Sequence, residues 1–272
     1  MTVAVDLATY LARIGFDGRP AADLATLRRL HALHPAAIAF ENLNPLIGRP
    51  VPLDLASLEA KLVRGRRGGY CFEQNTLLEA VLGQIGFPVV SLGARVEWNA
   101  PPGLRNARNH MVLRVDLPEG AYLCDVGFGG LTLTAPLRLA ADAEQDTPHG
   151  VHRLLAVPHG FRLQVRLAGG WESIYRFTLE EQAPLDWKVS NYFISTHVDS
   201  VFTQTLMAAR PLPGLRYALR GPQLAVYGAD GTVERQVLAS GDEIAAALDQ
   251  TFDLDVPDEA GPFLDRIAKA GA

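Results

Sequence analysis

The feature that most constrains this fold is a change of hydrophobic period near residue 87. Before it, apolar residues recur at helical spacing. Leu7, Tyr10, Leu11 and Ile14 form one stripe, which Gly15 ends. Leu24, Leu27 and Leu30 form a second, with Asp23 as its cap, and Asp54 caps a third that carries Leu55, Leu58 and Leu62. Leu78, Val81, Leu82 and Ile85 form a fourth, stopped by Gly86 and Pro88. After it, short runs at 89–98, 110–117, 121–126, 151–157, 161–167 and 171–177 are punctuated by Gly, Pro, Asp and Asn, as strands are. Five or six such strands predict a barrel or a strongly curled sheet. A connecting helix over 185–198 follows. Beyond it the pattern predicts short strands at 206–209, 216–219, 224–227 and 233–237, a hairpin turn at 228–231, and helices over 241–248 and 263–269. The expected class is α+β. A helical bundle spans 1–86, a β-barrel 87–184, an interdomain helical segment 185–204 and an α/β lid 205–272.

Composition narrows the function. A chain of 272 residues holds two or three small domains and a sizeable core. Its 48% hydrophobic and 20% charged content is that of an ordinary globular protein. A formal charge of −5 leaves no basic footprint, so a nucleic-acid partner is not expected. No apolar run approaches ~20 residues, and no positive leader precedes a long apolar stretch, so neither a membrane span nor a signal peptide is expected. Two cysteines make no disulfide framework, which suits the reducing cytoplasm. A Cys71–Cys124 bond stays open as an oxidation artefact.

The chemistry centres on Arg67-Gly68-Gly69-Tyr70-Cys71-Phe72-Glu73-Gln74-Asn75. The two glycines allow a sharp turn, with φ > 0, just before the cysteine. Cys71 then falls at the start of the fourth helix, where unpaired N–H groups and the positive dipole end favour an anion. A thiol so placed is a nucleophile; the alternative is the buried, inert cysteine that most free cysteines are. His110 opens an apolar strand, and Asp125 ends the next one before a glycine-rich loop. A Pro118-Glu119-Gly120 turn joins the two strands as a hairpin, which brings His110 and Asp125 to one open end. Cysteine, histidine and acid make a chain of nucleophile, base and orienting group.

These stretches resemble the arylamine N-acetyltransferases. The motif around Cys71 is similar to that family's active-cysteine motif, and Phe40-Glu41-Asn42-Leu43 to its N-terminal signature. Asn109-His110 and Asp125-Val126-Gly127-Phe128-Gly129 match its histidine and aspartate segments in order and spacing. The resemblance is strong over about 5–135, clear again from Ser190-Asn191-Tyr192-Phe193 to Phe202, and thin beyond. It implies acetyl-CoA as donor, an arylamine or arylhydrazine as acceptor, no metal, and ping-pong transfer through acetyl-Cys71 with His110 as base and Asp125 as orienting acid. It further implies that Phe40, Val96, Phe128 and Phe202 wall the acceptor pocket, although core packing explains Val96 and Phe202 equally well. Gly127, Phe128, Gly129 and Gly130 would cradle the coenzyme A pyrophosphate, where a loop of this kind is otherwise only a turn. Asn106 and Ala107 fall where the family contacts the coenzyme, but their side chains match poorly.

Other readings of the same residues remain. Transglutaminase-like and peptidase-like cysteine enzymes use the same Cys-His-Asp order, and the signature at Phe40 separates them from this chain. A scaffold that kept the fold without the chemistry is a third reading, disfavoured by the whole triad. Glu41 is expected to pair with Arg67 and brace the loop before Cys71; two solvated charges are the alternative. His31 and His34 read as polar or capping residues at the end of the second helix. His149, His152 and His159 invite a metal, but no cysteine or carboxylate stands at ligand spacing.

Overall fold

The computed structural model describes residues 4–101, 103, 104 and 106–270. Met1, Thr2 and Val3, on which the reading of the N-terminus partly leans, and Pro102 and Arg105 of the loop before His110, lie outside the described residues.

The N-terminal part runs α1 (Leu7–Arg13), α2 (Leu24–Ala37), β1 (Phe40–Glu41), α3 (Leu43–Leu46), α4 (Leu55–Leu58) and α5 (Cys71–Ile85). Asp6, Asp23 and Asp54 begin α1, α2 and α4, each accepting the N–H group three residues on, so the cap signals at Asp23 and Asp54 hold. The third helix departs from expectation: after Leu58 the chain loosens into a π-helical turn over Glu59–Arg64. Gly86 closes α5 in the left-handed conformation, φ 106°. The helical reading of this part also missed β1, two residues being too short to show a period of two.

The central part is β2 (Val89–Val96), β3 (His110–Leu117), β4 (Gly120–Cys124), β5 (Leu137–Arg138), β6 (Glu144–Thr147), β7 (Gly150–Val157), β8 (Gly160–Leu167) and β9 (Gly170–Glu181). These eight strands make one antiparallel sheet in the order β5-β4-β3-β2-β9-β8-β7-β6. The sheet curls until its edges nearly meet. The Gln145 side chain joins them, accepting from the Arg138 N–H at 2.7 Å and donating to the Arg138 carbonyl at 2.9 Å. Helices α6 (Pro184–Thr196) and α7 (Val201–Gln204) lead to β10 (Met207–Leu212), β11 (Leu215–Arg220), β12 (Gln223–Gly228) and β13 (Val233–Val237), then to α8 (Gly241–Gln250) and α9 (Gly261–Ala270). The second sheet runs β1-β10-β11-β12-β13, with Phe40 opposite Ala209. Its core joins Leu206, Leu219, Ile244, Leu248, Phe252 and Leu264 to Ala39, Leu43 and Leu46. No helix among the described residues is long and apolar enough to cross a membrane.

Strand β3 is buried on both faces, and this positions the site. Val112 points into the barrel with Leu92, Leu154, Leu163 and Tyr175. Met111, Leu113 and Val115 point outward onto α5, against Phe72, Leu77, Leu78, Val81 and Leu82. Each such side chain contributes roughly 1.5–3 kcal/mol on burial. That exceeds any intrinsic preference of a 15-residue helix, so packing against the barrel wall, rather than propensity, holds Cys71 where it is.

Candidate active site

Cys71 is the first residue of α5 and 5% exposed. The loop before it is tight for a reason other than the one expected. Neither Gly68 nor Gly69 takes a positive φ; Arg66 does, at 41°. Glycine is needed at 68 for close approach, because a Cβ there would sit 1.9 Å from the Ala39 carbonyl oxygen. Gly127 is needed likewise, since its Cβ would fall 2.6 Å from the Cys71 Cα. The loop is braced by the expected ion pair. Arg67 donates Nε and Nη2 to Glu41 Oε1 at 3.0 and 2.7 Å, and Glu41 Oε2 accepts the Leu43 N–H at 2.6 Å. Lys61 reaches Glu73 at 2.7 Å, and Glu73 takes the Tyr70 N–H at 3.2 Å.

The hairpin of β3 and β4 pairs Leu113 with Cys124, which leaves His110 and Asp125 at one end. His110 Nε2 donates to Asp125 Oδ2 at 2.7 Å. Burial alone would lower the imidazole pKa; the Asp125 charge and hydrogen bond, with Cys71 against the ring, outweigh it and raise it to about 10. Burial pushes the Asp125 carboxyl up, but His110, the Asn75 amide at 3.0 Å and the Gly127 N–H at 2.9 Å hold it below its usual range. The thiol lies between the His110 ring and the Asn109 carbonyl, which is 3.9 Å from the sulfur. Cys71 and Cys124 are both free and buried.

Two aromatic groups flank these residues. Phe128 stands edge-on to His110, ring centroids 5.2 Å apart, and Tyr175 is 5.0 Å from His110 and 5.5 Å from Phe128. Phe202 lies 5.3 Å from Tyr70 and 6.2 Å from Phe40. Phe40 in turn packs on Gly129, whose φ is 87°. Val96 pairs with Tyr175, two residues on from Ala94, which pairs with His110; alternation sets all four side chains on the barrel's inner face. The structure thus brings Phe128 to the histidine and Phe202 to the residue before the cysteine, with Phe40 against Phe202. Asn106 spends its side-chain amide on the Val96 carbonyl at 2.7 Å.

His31 and His34 take the polar half of the expected role and not the capping half, and they do so fully buried. His31 Nε2 accepts the Asp125 backbone N–H at 3.0 Å. His34 Nδ1 accepts the Tyr10 hydroxyl at 2.8 Å, and its Nε2 donates to Gln74 Oε1 at 2.7 Å. Gln74 Nε2 then holds the carbonyls of Ile38, Ala39 and Gly69. Burial lowers both imidazoles to about 4, which keeps them neutral. Their place on the inner face of α2, one turn apart like Leu27 and Leu30, was the missed signal. Asn75 was missed too. It donates to Asp125 and to the Met111 carbonyl and accepts the Val126 N–H, tying α5 to both strands. A polar run at 73–75, buried at the start of a helix whose other buried positions are apolar, marks it. Tyr175 left no local signal. His149 donates Nε2–H to the carbonyls of Leu212 and Leu215, His152 is buried in the barrel, and His159 occupies a turn with φ 66°. Among the described residues no cluster of His, Cys, Asp and Glu has the arrangement of a metal site. A groove of about 880 Å³ opens elsewhere, between the 45–54 loop and α6. It reaches the residue before the cysteine through Asn191, which accepts the Tyr70 hydroxyl at 2.5 Å.

Residues 23–260 match a family model described as N-acetyltransferase. An arylamine N-acetyltransferase of Mycolicibacterium smegmatis is 43% identical over 263 residues, 95% of each chain. One of Escherichia coli is 42% identical over 261 residues, 95% of this chain and 92% of that one. The structure of the Mycobacterium marinum arylamine N-acetyltransferase in complex with CoA superposes with a TM-score of 0.92 at 39% identity, covering 96% of this chain and 99% of that one.

Proposed function

Because the chain belongs to the arylamine N-acetyltransferase family, we propose that it carries acetyl from acetyl-CoA to an arylamine or arylhydrazine nitrogen through an acetyl-Cys71 intermediate. The observation that carries this reading is a buried imidazole bonded to Asp125 at 2.7 Å with the Cys71 sulfur against its ring. In the first half-reaction His110 takes the Cys71 proton, and the thiolate adds to the thioester carbonyl. The first-turn N–H groups of α5, which have no intrahelical acceptor, stabilise the oxyanion. The C–S bond to coenzyme A breaks, and its thiolate leaves with the proton that His110 returns, so the imidazole is free again. In the second, the amine attacks acetyl-Cys71, His110 accepts the amine proton, and the cysteine is released.

Asp125 keeps the ring oriented and favours its charged form. Phe40, Val96, Phe128 and Phe202 offer apolar and π surface to an aromatic acceptor, whose low basicity leaves the nitrogen lone pair free at neutral pH. The loop Gly127, Phe128, Gly129 and Gly130 receives the donor's pyrophosphate, with Gly127 and Phe128 shaping it through N–H bonds to Asp125 and Thr132 and Gly129 and Gly130 offering N–H groups that are free among the described residues. Initial rates with both substrates varied test the sequence of steps. Parallel double-reciprocal lines are expected; intersecting lines, which require both substrates bound together, would overturn it.

A further inference from the structure

The chemistry above leaves one buried cation unused. Arg216 stands on β11 with 7% of its surface exposed. Its Nη1 donates to the carbonyls of Gly130 at 3.2 Å and Thr132 at 2.9 Å, and its Nη2 to that of His149 at 3.4 Å. Among the described residues no carboxylate lies within ion-pair distance of it. Burial lowers its pKa to about 10, so it stays charged at neutral pH. A buried charge ordinarily sits against a counter-charge, and the described residues provide none. What stands beside the guanidinium is the glycine loop.

That loop has donors to spare. The N–H groups of Gly127, Phe128 and Thr132 are used within it, on Asp125 Oδ1, Thr132 Oγ1 and the Gly129 carbonyl. Those of Gly129, Gly130 and Leu131 donate to nothing among the described residues. Gly130 also faces Ala218, which lies two residues along β11 from Arg216 and so on the same face. A trans peptide carries its N–H opposite its carbonyl. Drawing the Gly130 carbonyl toward Arg216 therefore turns the Leu131 N–H away from it.

We infer that Arg216 is a positioning residue for the acyl donor: it fixes the glycine loop through the Gly130 and Thr132 carbonyls and lends it the positive charge a pyrophosphate requires. It acts through the loop rather than on the ligand. The inference rests on the reading in which this loop receives the pyrophosphate of acetyl-CoA. Successive N–H groups backed by a fixed, buried cation form an anion cradle. The C-terminal sheet thereby gains a part in donor recognition.

The test compares Arg216→Met and Arg216→Lys with the parent protein on two donors, acetyl-CoA and p-nitrophenyl acetate, which has no phosphate. In Arg216→Met the KM for acetyl-CoA should rise about tenfold, the size of one charge-assisted interaction, while kcat/KM for p-nitrophenyl acetate changes less than about twofold. Arg216→Lys keeps the charge but not the forked geometry, and its KM for acetyl-CoA should rise about threefold; it carries the same test should Arg216→Met fail to fold. Equal losses with both donors would reduce Arg216 to fold support and overturn the inference. If inorganic pyrophosphate competes with acetyl-CoA in the parent yet Arg216→Met leaves that KM unchanged, the inference alone fails. If pyrophosphate does not compete in the parent, the loop reading fails and takes the inference with it.

Discussion

On one side of Asp125 stands His110, 3% exposed, and on the other His31, 0% exposed. The carboxylate bonds the first ring, and the backbone N–H bonds the second. Burial pushes both imidazoles toward neutrality. Only His110 has a hydrogen-bonded carboxylate to reverse it, and the two end near 10 and 4. Depth therefore does not distinguish a reactive histidine from a structural one; the partner does. His110 can store a proton during acyl transfer. His31 is a neutral acceptor that holds the strand end from which Asp125 projects.

Changes on the reactive side should cost most. Replacing Cys71 by Ala should lower arylamine acetylation by at least about 10⁴-fold while circular dichroism stays native. Asp125→Asn, which makes the His110 side resemble the His31 side, should lower kcat about 10³–10⁴-fold. It should also move the basic limb of the pH–rate profile well below 10, because the imidazolium loses its partner; an unmoved limb would remove Asp125 from the mechanism. The sharpening change lies across the strand. His31→Leu leaves the Asp125 N–H buried without an acceptor and should cost about 1–3 kcal/mol in urea unfolding; His31→Gln, which keeps an acceptor, should recover part of it.

The smallest effect appears only in acid. His31 and His34 have folded pKa values near 4, below the unfolded value of 6.5. The unfolded chain therefore binds protons first as pH falls, and stability is lost between about 6.5 and 4. His110 has the opposite sign: its folded value is raised, so its contribution is complete below 6.5 and fades as pH rises through about 10. Urea midpoints taken across this range should fall at both ends, and His34→Gln should flatten only the acid side.

What was legible in the sequence follows the same division. Cys71, His110 and Asp125 each sit at the end of an element, where a glycine, a turn or a change of period advertises the position. The four helical stripes and the run of strands could be read because each element buries one regular face. The partners of His31, Asn75 and Arg216 could not be assigned, since they lie 94, 36 to 51 and 67 to 86 residues away and no local pattern encodes such a meeting. β1, β5 and β6 were missed because strands of two to four residues carry no period. The glycines at 68 and 69 were recognised as necessary for the wrong reason: the φ they would free is not used, and the space they leave is.

The central claim is that one sulfur carries the acyl group between the two substrates. Intact-mass measurement after brief mixing with acetyl-CoA, with no amine present, tests it most directly. One acetyl group on the parent protein, located on Cys71, absent from the Cys71→Ala variant and discharged on adding an arylamine, is the predicted result. An unmodified Cys71 in a preparation that acetylates the arylamine at full rate would contradict it.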